Sequence, residues 1–82
     1  MAEPTNSIQR RVEKTVARVF DVPPSEAASL GLGLHPRWDS MAHMELVMEI
    51  EKEFGLRFPT YEIGELLNPA AITKAVERYI EK

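Results

Sequence analysis

The chain has 82 residues and a mass of 9.3 kDa, with 44% hydrophobic and 28% charged residues. That is the composition of one small folded domain, residues 1–82, rather than of a disordered chain. The formal net charge of −3 argues against nucleic-acid binding, which needs a basic face, and the lack of cysteine removes disulfides, thiolate metal sites and a thiol nucleophile together.

The first periodic segment is Ile8, Val12, Val16, Val19 and Phe20, whose steps of three and four make one helical stripe. Ser7 is placed to cap it, and Asp21-Val22-Pro23-Pro24 to stop it. No apolar stretch precedes Arg10-Arg11, so no secretory signal is read there. Residues 21–37 show no helical period and predict a long loop. Its leucines at 30, 32 and 34 pin it to the core, and a short turn is expected within Ser25–Leu30. Gly31 and Gly33 speak against a strand.

Ser40 to Phe54 contains neither glycine nor proline and predicts the second helix. Leu46, Ile50 and Phe54 form one row with Val47 beside it, and Met41, Met44 and Met48 form a neighbouring stripe. Asp39 or Ser40 caps its start and Gly55 suits a left-handed stop. Leu56-Arg57-Phe58-Pro59 runs extended to Thr60, an N-cap for a third helix of about two turns through Ile63, Leu66 and Leu67. Asn68-Pro69 opens the last helix, with Ile72, Val76, Tyr79 and Ile80 on one face. The expected fold is all-α: a small four-helix bundle of three long helices and one short third helix, with a long loop between helices 1 and 2. No apolar run approaches the roughly 20 residues of a membrane span, so no membrane partner is expected. The expected protein is a cytoplasmic monomer, too small to hold both a substrate pocket and a catalytic apparatus. A carrier or binding role therefore comes ahead of an enzyme role, with no catalytic residue and no metal site.

Ser40 stands out because an irregular loop meets a long helix there. As a cap it is ordinary. The same geometry offers unpaired amides and the positive end of a helix dipole, which favour an anion joined to an exposed hydroxyl. Asp39 beside it suits a metal delivered with a phosphate donor. Residues 38–65 carry seven acids against Lys52 and Arg57, a local charge of −5. Glu45, Glu49 and Glu53 repeat at i, i+4, where like charges cost a few tenths of a kcal/mol each. Lys52 cannot neutralise the set, and such a field attracts a basic partner. His43 shares a helix face with Ser40, but no third residue orients its ring and no oxyanion hole is recognisable. Trp38 reads as a packing anchor. The methionines read as core or partly buried surface, with docking as the other use of their adaptable side chains.

The run Trp38-Asp39-Ser40-Met41-Ala42-His43-Met44-Glu45-Leu46-Val47-Met48-Glu49-Ile50-Glu51-Lys52-Glu53-Phe54-Gly55 resembles the acyl carrier protein family. The resemblance extends to the opening helix, the long loop, Phe58-Pro59 and the closing helix. It implies that Ser40 bears 4′-phosphopantetheine, moved from coenzyme A by a separate phosphopantetheinyl transferase, with Asp39 beside the metal and phosphate during loading. The imported arm brings the thiol that this cysteine-free chain lacks, and acyl intermediates ride on it as thioesters. The resemblance also implies that the acidic second helix is a docking surface for acyl-loading and acyl-processing enzymes with basic surfaces, with Glu45 and Glu51 matching acidic positions of the family. Glu49 is an additional acid, and Met41 and Met44 join the surface through their adaptable side chains. Leu46, Val47, Ile50 and Ile63 would line an acyl pocket. Three departures are visible: Met41 where Asp-Ser-Leu is usual, Trp38 where fatty-acid carriers commonly have a small residue, and Lys52 within the acidic run. They point to a specialised stand-alone carrier for fatty-acid, polyketide or related biosynthesis. An aminoacyl or peptidyl carrier shares these features. An unmodified helical interaction module and a small Ser/His hydrolase are the competing readings.

Overall fold

A computed structural model describes residues 5–80, and the side chains from residue 7 onward. It contains α1 (Thr5–Phe20), α2 (Pro24–Ala27), α3 (Ser40–Phe54), α4 (Thr60–Ile63) and α5 (Pro69–Ile80), and no strand among the described residues. The all-α bundle is as the periodicity predicts, with α2 as one more short helix. α1 is the hub and packs against α5, α3 and α2. Its stripe of Ile8, Val12, Val16 and Phe20 is fully buried against Leu46, Val47 and Ile50 of α3 and Ile72, Ala75 and Val76 of α5.

Helix boundaries follow local chemistry more than the apolar stripe. Ser7 is not the cap of α1, because the helix is already under way at Thr5. The stripe marks where a helix packs, not where its backbone begins. α1 ends before the prolines: Asp21 takes a left-handed φ of 55° and the Val22 N–H returns to the Ala17 carbonyl at 3.0 Å. Aspartate tolerates that conformation better than most side chains. Pro23 and Pro24 instead open α2, at its cap and first position.

Asp39 caps α3 through a 2.9 Å bond from the Ala42 N–H to its Oδ1. Gly55, at φ 65°, ends it. Asn68 caps α5 in the same way, accepting from the Ala71 N–H at 2.8 Å. α4 is shorter than expected, a single turn whose cap position is Pro59 rather than Thr60, with no side-chain cap bond. The chain beyond it continues in turns, with Glu65 N–H to the Glu62 carbonyl and Leu66 N–H to that of Ile63. Of the loop leucines, Leu30 and Leu32 pack on the core, whereas Leu34 is 80% exposed. Alternation inside a turn-rich loop has no pleat to send every second side chain inward.

Two cations of α1 cross to α3. Arg11 donates from Nε to Glu53 Oε2 at 3.1 Å and from Nη2 to the Glu53 carbonyl at 3.0 Å, with its guanidinium 4.3 Å from the Phe54 ring centre. Arg18 pairs with Glu49 at 3.1 Å, and Lys52 lies 3.6 Å from the other Glu49 oxygen.

Candidate functional site

Ser40 is the first residue of α3, and its side chain is exposed. No protein hydrogen bond holds its hydroxyl among the described residues. Asp39 spends its Oδ1 on the Ala42 N–H and its carbonyl on the His43 N–H, at 2.8 Å. The amides of Ser40 and Met41 are the first two of the helix and have no intrahelical partner. An exposed hydroxyl therefore stands beside two outward amides, at the positive end of a 15-residue helix. Those residues fit a phosphate joined to Ser40, because the hydroxyl oxygen is free and the phosphate's negative charge would meet helix amides rather than a carboxylate cluster.

His43 does not serve Ser40. It is buried, and both ring nitrogens are spent: Trp38 Nε1–H donates to Nδ1 at 2.9 Å, and Nε2 lies 2.9 Å from the Ile63 carbonyl. An indole nitrogen only donates, so Nδ1 accepts and Nε2 carries the ring proton to Ile63. Trp38 is itself fully buried, stacked on Phe20 at 4.8 Å and facing His43 at 6.0 Å. Its packing role is as expected. Its polar partner carries no signal in the sequence beyond a tryptophan and a histidine on either side of a helix cap.

The predicted docking residues divide into two groups. Met41, Met44 and Met48 are 79%, 48% and 55% exposed, so the stripe is surface rather than core. Glu45 is exposed and unpaired among the described residues, and it borders a groove of about 350 Å³ with Met48, Glu49, Arg18 and Val19. Glu49 lies between Arg18 and Lys52. Glu51 is half-buried, and its Oε2 accepts the Phe58 N–H at 2.8 Å. Glu53 and Glu49 are thus offset from within by Arg11 and Arg18 of α1, and Glu51 is held by a backbone amide. Helix-local charge counting misses those partners because they lie at long range in sequence.

Of the four residues expected to line an acyl pocket, Leu46, Val47 and Ile50 are core residues and Ile63 is half-buried. They wall none of the three described cavities. Those are the Glu45 groove, a second groove bounded by Met48, Glu51, Lys52, Leu56 and Arg57, and a space of about 220 Å³ between α1 and α5 beside Ala28.

At the back of α4, Glu62 accepts from Arg78 at 2.6 Å and from the Tyr79 hydroxyl at 2.9 Å. The Tyr79 phenol is pushed above its ordinary 10.0, first by that hydrogen bond to Glu62, then by partial burial and the carboxylate's charge, with Arg78 opposing.

The fold and site define a small helical domain that presents a serine at the head of its central helix. No family model matches the chain. It is similar to a segment of the non-reducing polyketide synthase pkbA of Emericella nidulans, with 29% identity over 80 residues. The match takes in 98% of this chain and 3% of the length of that synthase. No helix among the described residues is long and apolar enough to cross a membrane.

Proposed function

We propose that the chain is a carrier domain that bears 4′-phosphopantetheine on Ser40 and serves polyketide-related or similar acyl biosynthesis. The observation that carries this reading is the free, exposed Ser40 hydroxyl at the capped start of α3. The likeness to a segment of a polyketide synthase, spanning nearly the whole chain, supports it. Ser40 Oγ would hold the arm as a phosphodiester. Asp39 fixes the first turn of α3 so that the hydroxyl stays outside the bundle, and the Ser40 and Met41 amides offset the phosphate charge. When attached, the group supplies a terminal thiol that carries acyl chains as thioesters.

The chain's own part is presentation rather than bond-making. Met41, Met44 and Met48 offer a deformable apolar face next to the attachment point, to which acyl-loading and acyl-processing enzymes dock. Glu45 supplies that face with one uncompensated carboxylate for a basic group on the partner, and Glu49 a shared one. Glu51 is left out of the docking set, because its carboxylate is committed to the Phe58 amide.

Co-expression with a broad-specificity phosphopantetheinyl transferase tests the reading. Intact mass should rise by one phosphopantetheine in the native chain and stay unchanged in Ser40→Ala. An unmodified native chain, or a modified Ser40→Ala, refutes it. Partner binding through the methionine face that ignores Ser40→Ala would favour an unmodified interaction module instead.

A further inference from the structure

We propose that Trp38 and His43 form a latch that holds the α3–α4 seam shut, so that this carrier keeps its acyl chain outside the bundle. The inference rests on the carrier reading of Ser40 and adds the kind of cargo.

α4 is tied to α5 through Glu62, which accepts from Arg78 and Tyr79, and it has little else of its own to hold it. It is four residues long, buries none of them and has no side-chain cap bond. On the side facing α3 it is tied by the His43 Nε2–H bond to the Ile63 carbonyl, at 2.9 Å. That imidazole cannot turn freely, because its other nitrogen accepts from Trp38 Nε1. Trp38 in turn is clamped by the stacked Phe20 ring at 4.8 Å. Turning His43 away strands a buried indole N–H and leaves the Ile63 carbonyl with the Leu66 N–H alone, and both changes oppose opening.

Behind the latch lie Leu46, Val47 and Ile50, each at most 1% exposed. In this proposal a chain attached at Ser40 enters between α3 and α4, and moving Ile63 away from α3 to admit it breaks the bond to His43. The latch and the attachment point occupy neighbouring turns, so opening the seam also disturbs the Trp38 anchor directly before Asp39. A carrier built this way suits acyl chains bearing polar groups along their length, which remain in water, better than plain alkyl chains, which gain most from burial. Trp38 and His43 are positioning residues in this account, since neither touches the cargo.

The test has two arms. In the unmodified protein, Trp38→Phe keeps a ring against Phe20 and deletes the indole donor. Amide exchange at Glu62, Glu65 and Leu66 should quicken roughly 5- to 30-fold, the factor carried by one lost hydrogen bond, while the centres of α1 and α5 keep their rates. Unchanged exchange around α4 overturns the latch. In the second arm, octanoyl is placed on the phosphopantetheine arm as a plain alkyl probe. The methyl resonances of Leu46, Val47 and Ile50 should match those of the unacylated form in the native chain and shift in Trp38→Phe. If they shift in the native chain, the cargo already enters and the proposal falls, whether or not the variant folds. A native chain that accepts no arm, seen as an unchanged mass, ends the carrier reading and the cargo claim with it. The exchange arm still decides the latch.

Discussion

Glu51 separates a structural carboxylate from a docking one. Its Oε2 takes the Phe58 N–H at 2.8 Å, and Phe58 is buried with its ring edge-on to Tyr79 at 5.5 Å. Removing the carboxylate strands that amide, and a lost bond to a charged acceptor costs about 1.5–3 kcal/mol when buried. Glu51 is only half-buried, and water partly replaces it, so Glu51→Ala should cost about 1–2 kcal/mol. For a domain of this size, each kcal/mol lowers Tm by about 4–8 °C. Glu51→Gln keeps an acceptor oxygen and should lose less than half as much. Glu45→Ala, on the same helix without a partner, should stay within about 0.5 kcal/mol of the native chain. Urea or thermal melts of the three variants, followed by helical circular dichroism, measure the ranking. If Glu51→Ala melts like Glu45→Ala, the carboxylate is not structural and returns to the docking surface.

Further expectations concern the helix ends, the α1–α3 seam and Tyr79. Asp39→Ala should cost about 1 kcal/mol in urea unfolding, while Asp39→Asn, which caps equally well, should cost little. Gly55→Ala should destabilise by about 1 kcal/mol, because φ is 65° although space is open. Gly64→Ala, with right-handed backbone and equally open space, should stabilise by about 0.4–1 kcal/mol in the same melts. Arg11→Ala loses an ion pair, a carbonyl bond and the Phe54 ring contact, and should cost about 1–2 kcal/mol. Arg11→Lys should recover only part of it. The Tyr79 phenol donates to Glu62, so folding favours its protonated form. The resulting stability is fully present below pH 10 and is lost as pH rises through the raised folded value. Ultraviolet titration of Tyr61→Phe should show Tyr79 ionising above 10.0, and adding Glu62→Gln should remove most of the rise.

The parts of the fold legible in the sequence are those set by neighbours along the chain. Asp39, Asn68 and Gly55 do what their local chemistry dictates, and the stripes of α1 and α5 face the core as their spacing requires. The methionine stripe was legible as a row but not as an exposed one. Nothing within α3 says that Leu46, Val47 and Ile50 fill the space against α1 and leave Met41, Met44 and Met48 outside. The acidic row illustrates the same limit. Glu49 and Glu53 meet Arg18 and Arg11, more than thirty residues earlier in the chain, and those pairings exist only once α1 lies along α3. The Trp38–His43–Ile63 chain spans a loop, a long helix and a short one, and no periodicity encodes it.

The attachment of the arm at Ser40 is most directly tested on the purified chain with coenzyme A, magnesium and a phosphopantetheinyl transferase, followed by tryptic mapping. Cleavage after Arg37 and Lys52 isolates the peptide from Trp38 to Lys52. The account predicts one phosphopantetheine on that peptide, localised to Ser40 by fragmentation. An unmodified peptide, or a modification on any other residue, would contradict it.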